Sequence, residues 1–111
     1  LVVDQQSLLV PLIGDIDARR GERLRTTLLG FLAAQRARKV VIDLTGVAAL
    51  DTHAIAHLLR CVDAARLMGA RVTLSGLSAD VCHAIVGLGV DLGATPTFTT
   101  LHDAIDDARA R

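Results

Sequence analysis

The stretch VVIDLTGVAALDTHAIAHLL, Val40–Leu59, decides how this chain folds. From Lys39 to Thr45 the residues Val40, Val41, Ile42 and Leu44 follow one another almost without alternation, the pattern of a strand covered on both faces and therefore central in a sheet. From Thr52 to Met68 the period changes: Ile55, Leu58, Leu59, Val62 and Ala65 recur at helical spacing, and Gly69 supplies a left-handed stop. Asp51-Thr52 opens that helix. A helix start has backbone N–H groups without intrahelical partners and carries partial positive charge, so a phosphoryl group on Thr52 would meet a favourable field. Thr52 is thereby a candidate switch rather than a candidate catalyst. Threonine and aspartate are also ordinary helix-start residues, whose side chains satisfy orphan N–H groups.

Working outward, Leu1 to Asp4 and Ser7 to Ile13 are short β-like runs separated by Gln5-Gln6, an expected opening hairpin. Pro11 moves the second run towards an edge or bulged position, because it has no N–H to donate. Asp17 reads as an N-cap, after which Leu24, Leu28, Phe31 and Leu32 share one helical face, with Arg36, Arg38 and Lys39 gathered where cations suit the dipole. Beyond Gly69, Arg71 to Ser75 alternates Val72 and Leu74 with polar neighbours. Ser78 then caps a short helix bearing Val81, Ala84, Ile85 and Leu88, closed by Gly89. A last short strand is expected around Thr97 to Thr99, and Thr100 with Asp103 makes a capping box before Leu101, Ile105 and Ala108. Strands alternating with helices after a hairpin imply an α/β fold, with a mixed, mostly parallel sheet of four to five strands packed against about four helices.

The 111 residues fit one domain, and an apolar content of 51% with only 2% aromatics calls for a core of Val, Leu, Ile and Ala. Twelve basic residues balance twelve acidic ones with no basic face, so nucleic acid is not an expected partner. No stretch suits a membrane span or a signal peptide, and the expected location is the cytoplasm. Cys61 and Cys82 fall inside helical patterns without CxxC spacing, as small core residues of a reducing compartment do. The chain opens on Leu1, as a piece cut from a longer protein would.

Other constellations carry weaker chemistry. His53, His57 and Cys61 stand four apart on one helical face, a geometry able to offer metal ligands, but HAIAH lacks a zincin glutamate and a second ligand pair, and a partly buried stripe is the simpler reading. Gly87, Gly89 and Gly93 follow a helix rather than joining strand to helix, so they are a cap and loop and not a nucleotide cradle. Asp15 and Asp17 are more simply a turn and an N-cap than a catalytic pair. No nucleophile elbow is present. Neither a metal, a cofactor nor an enzymatic activity is expected.

Taken together, GDID (Gly14–Asp17), VVIDLTGV (Val40–Val47), LDT (Leu50–Thr52) and GARVTLSG (Gly69–Gly76) resemble the STAS domain of anti-sigma factor antagonists and sulfate transporters, over nearly the whole chain. IDLTGV, LDT and the later LGVDL are most similar to stressosome R-type co-antagonists. The resemblance implies a non-enzymatic regulatory domain, phosphorylated at Thr52 by a serine/threonine switch kinase. It also implies a sensory domain N-terminal to this one, and co-assembly with an S-type STAS paralogue or further copies into a larger complex. A second phosphoacceptor of some R-type proteins aligns near Ala84, beside His83, which would leave one switch here. Asp17 matches an acidic position beside the phosphosite, and with Asp51 and His53 makes up the expected partner-binding rim. Two other readings fit the residues: a stand-alone antagonist that binds an anti-sigma kinase, and a small-ligand domain taking a nucleotide or lipid near Asp17 and Thr52.

Overall fold

Strand β2, Lys39–Gly46, lies between two neighbours and has no solvent-facing side along most of its length. The computed structural model describes residues 7–14, 16–47, 52–89 and 95–110. In chain order they form β1 (Ser7–Ile13), α1 (Ala18–Gln35), β2, α2 (Thr52–Leu67), β3 (Arg71–Ser75), α3 (Ala79–Gly87), β4 (Thr97–Phe98) and α4 (Leu101–Ala110). The described sheet has the order β1-β2-β3-β4, with every neighbouring pair parallel. The first run of the expected hairpin, Leu1 to Asp4, lies outside the described residues.

Alternation along β2 assigns the layers. Val40, Ile42 and Leu44 point into the larger core with Leu8, Leu12, Val72 and Leu74 from the flanking strands, against Leu28 and Leu32 of α1 and Leu58 and Val62 of α2. Val41 points the other way, onto Ala104 and Ala108 of α4, with Leu9 and Phe98 alongside. A third cluster joins Ile55 of α2 to Val81 and Ile85, so α3 packs on a helix more than on the sheet. Each fully buried Val, Leu or Ile contributes about 1.5–3 kcal/mol relative to exposure, which is why an aliphatic core suffices without aromatics.

Local chemistry sets the ends. Pro11 breaks the pairing of β1 as its sequence foretells: the register with β2 shifts between Pro11 and Ile13. Asp17 caps α1, accepting from the Arg20 N–H at 2.9 Å, and Ser78 caps α3, accepting from Val81 N–H at 3.2 Å. The Asp103 N–H donates to the Thr100 hydroxyl at 3.2 Å. Gly69 closes α2 at φ +88°.

Several expectations are corrected. Phe31 is 46% exposed and lies on the flank of α1, outside the buried face. Leu88 is 43% exposed because α3 ends at Gly87 and places it in the cap. Cys82 is exposed, not a core residue, whereas Cys61 is fully buried. The cations after α1 lie beyond its last turn, at the cap and in the loop that follows. Arg36 takes the left-handed C-cap position, while Lys39 donates its Nζ to the Ala108 carbonyl and so caps α4. Arg71 holds the same end of α4, 3.4 Å from Asp107. On β3, Thr73 and Ser75 are as buried as Val72 and Leu74, since α4 covers the face that alternation alone leaves to water.

Helices α1 and α2 meet at Gly21. A Cβ there would stand 2.5 Å from the His57 Cβ, closer than real contacts allow, so glycine is required by the approach of the two helices. Gly30, in the same helix, faces open space. Gly30→Ala is expected to stabilise the protein by about 0.5–1 kcal/mol through helix propensity. Gly21→Ala gains the same propensity and is nonetheless expected to lose about 1–3 kcal/mol to overpacking. Urea unfolding of both variants beside the wild type checks the opposite signs.

Candidate functional site

Because β1, β2 and β3 run parallel and each is followed by a helix, the starts of α1, α2 and α3 all lie at the carboxyl edge of the sheet. This is the edge at which α/β folds place their sites. Thr52 is the first residue of α2 and is exposed, so its hydroxyl stands on that edge. His53 beside it is exposed as well. Asp51 lies outside the described residues, as does Asp15. Asp17 is exposed at the start of the adjacent α1, with its carboxylate engaged as the cap. One turn further into each helix Gly21 and His57 pack directly on each other, which sets the start of α1 beside that of α2.

The histidine–cysteine stripe rotates from solvent into this helix contact. His53 is exposed, His57 is half-buried against Gly21, and the buried Cys61 thiol donates to the Gly21 carbonyl at 3.8 Å. Among the described residues no group of three or more His, Cys, Asp or Glu is placed to hold a metal. Burial pushes the Cys61 thiol above its ordinary pKa, an effect that the nearby positive charge of Arg25 partly offsets.

At the other candidate positions the findings are plain. Ala84 is half-buried in the contact between α3 and α2, and His83 beside it is exposed. Gly89 closes the α3 region at φ +71°, as a cap does; Gly93 lies outside the described residues. A groove of about 220 Å³ runs along α1, lined by Leu12, Ile16, Arg20, Arg23, Leu24 and Thr27. Its lining includes neither Asp17 nor Thr52, and Arg20 is engaged there, donating from Nη1 to the Ile13 carbonyl at 2.7 Å.

Sequence reasoning missed a polar cluster under this edge. Asp43 of β2 is only 8% exposed, and one of its carboxylate oxygens accepts from the Ser75 hydroxyl at 2.7 Å and from the Thr45 hydroxyl at 2.8 Å. The signal was a single acid inside the apolar run VVIDL.

Comparison with known proteins agrees with this geometry. The model of the STAS domain family matches residues 1–104, and the chain belongs to that family. It is 37% identical over 99 residues to "RsbT co-antagonist protein RsbRA" of Bacillus subtilis (strain 168), covering 89% of this chain and 36% of that protein. The chain thus spans little more than a third of the curated relative. Among solved structures, a single-site variant of Moorella thermoacetica RsbS superposes with a TM-score of 0.85 at 22% identity, over 99% of this chain and 92% of that one. A chain from "Molecular architecture of the stressosome, a signal integration and transduction hub" gives 0.83 at 20% identity, over 99% and 95%. Both therefore share the fold of this chain, whose described residues form four parallel strands and four helices.

The two cysteines are expected to separate cleanly. In the native protein Cys82 reacts with a maleimide while Cys61 reacts only on unfolding, as mass spectrometry of the labelled peptides would record. The raised Cys61 pKa means that the native state holds its proton longer than the unfolded chain. Its contribution to stability is therefore whole below the ordinary thiol value of about 8.5 and declines as pH rises from there towards the raised value. Cys61→Ser is expected to flatten that alkaline decline in unfolding experiments run across the window.

Proposed function

We propose that this chain is a regulatory module of stress signalling, an anti-sigma factor antagonist-like domain of the stressosome R type, switched by phosphorylation of Thr52. The observation that carries the reading is the exposed threonine at the start of α2, in a chain 37% identical to a protein named as an RsbT co-antagonist. Phosphorylation would add a charge of about −1.5 to −2 beside Asp51. The helix start offsets part of the repulsion, so the fold survives while the charge of the docking rim changes.

The partners proposed are a serine/threonine switch kinase, an S-type STAS paralogue and further copies of this chain. Likeness to the RsbS variant and to a stressosome chain supports the last two. The contacts are proposed to run along the rim formed by Asp17, Asp51, Thr52 and His53. An interface that packs the Thr52 hydroxyl would have to desolvate a phosphate and meet its repulsion, which is how one group excludes one partner and admits another. Such a module acts by docking rather than by catalysis. No helix among the described residues is long and apolar enough to cross a membrane, which suits action in the cytoplasm. A sensory domain N-terminal to this one is part of the proposal, consistent with the much greater length of RsbRA.

Incubated with ATP and its cognate switch kinase, the chain is expected to gain one phosphoryl group by intact mass, and Thr52→Ala none. The variant should unfold within about 0.5 kcal/mol of the wild type, as exposed substitutions do. A gain that persists in Thr52→Ala would sink the reading.

A further inference from the structure

Helix α1 begins with the wrong charge. Its first turn holds Arg19 and Arg20 and no acidic residue, and Arg23 and Arg25 follow in the second turn beside Glu22. A helix start is the positive end of the dipole, where cations are disfavoured, and natural chains break such local rules chiefly at functional places. The guanidinium groups divide between two faces. Arg25 lies near Cys61 of α2. Arg20 and Arg23 instead line the groove along α1. Arg20 is held there by its bond to the Ile13 carbonyl, while Arg23 is exposed and enters no ion pair among the described residues.

The groove continues past these two arginines. A second hollow, of about 120 Å³, shares Leu24 and Thr27 with the first and is walled by Leu8 and Val10 of β1 and by Leu28 and Phe31 of α1. Arg20, Arg23, Leu24, Thr27 and Phe31 follow one another at helical spacing, so the two hollows make one trough along a single face of α1. Between Arg20 and Phe31 the helix rises about 16 Å. With about 220 Å³ in the first hollow, the trough reaches the lower end of the size range of small-molecule sites, about 300 Å³. Its two ends differ in kind. Guanidinium groups stand at one, whereas Thr27 is the polar residue among those described around the second hollow, and Phe31, 46% exposed, forms the far wall.

We propose that this trough binds a single-chain anionic amphiphile, such as a medium-chain fatty acid, with its carboxylate beside Arg20 and Arg23 and its chain laid along α1 as far as Phe31. Charge selects the head, because two guanidinium groups and the helix start act on it together. The walls select the tail. A nucleotide in the same place would set its base and ribose against Leu8, Val10 and Phe31, which have no polar side chain to replace the water those groups lose. A hydrocarbon chain loses no hydrogen bond there and covers the apolar face of Phe31. The site does not depend on the role of Thr52, which is not among its lining residues.

Isothermal titration calorimetry with octanoate and dodecanoate, each below its micelle-forming concentration, tests the site. Dodecanoate is expected to saturate one site and to bind more tightly than octanoate, by up to about fourfold per added methylene. Arg23→Ala should weaken both acids alike, by about tenfold. Phe31→Ala should weaken dodecanoate about tenfold and leave octanoate near the wild-type value, since the shorter chain stops before Phe31. Both residues are exposed, so both variants keep the fold, which circular dichroism records. 1-Octanol, which has no charge, should bind about tenfold more weakly than octanoate. Absence of saturable dodecanoate binding, binding that neither substitution weakens, or octanol bound as tightly as octanoate each overturns the proposal. Binding to vesicles of anionic phospholipid without binding to free dodecanoate overturns it as well, and makes the patch a membrane contact.

Discussion

Burial of β2 on both faces is the constraint from which the rest of the domain follows. A strand with no wet side needs a strand on each edge and a helical layer over each face, and the chain meets all of these demands with short parallel crossovers. The larger core takes α1 and α2, the smaller takes α4, and α3 is left to pack on α2. Parallel pairing then brings the helix starts to one edge. A site at that edge is a consequence of topology before it is a consequence of any particular residue.

That edge is suited to recognising charge. Helix starts carry partial positive charge, and the residues placed on them here are a threonine, a serine and an aspartate engaged as a cap. An exposed hydroxyl at a helix start is a position where added negative charge would be tolerated. Membership of the STAS family, established over residues 1–104, and the likeness to co-antagonist proteins support a regulatory role for the domain.

Much of this was legible in the residues. The run Val40, Val41, Ile42 and Leu44 marked the central strand, Pro11 marked an irregular edge, and Asp17, Ser78 and Thr100 marked helix starts, because each rests on a short-range rule that tertiary packing did not overrule. What escaped depends on distant parts of the chain. Phe31 and Cys82 sit on helical faces that periodicity alone assigns to the core, yet no described element arrives to cover them. Thr73 and Ser75 are buried because α4, far along the sequence, packs over them. Lys39 turned out to serve the end of α4 for the same reason. Asp43 was passed over because an acid in a buried run has meaning only once its partners at Thr45 and Ser75 are seen.

The contact between Gly21 and His57 leaves the first two helices no slack. Sliding or spreading one against the other would either drive the imidazole into backbone or open the seam above the buried thiol of Cys61. That contact sets the spacing of the two starts, with Asp17 on one and Thr52 on the other. A charge added on one helix start would therefore be set against an unaltered neighbour, a change of electrostatic potential more than of shape.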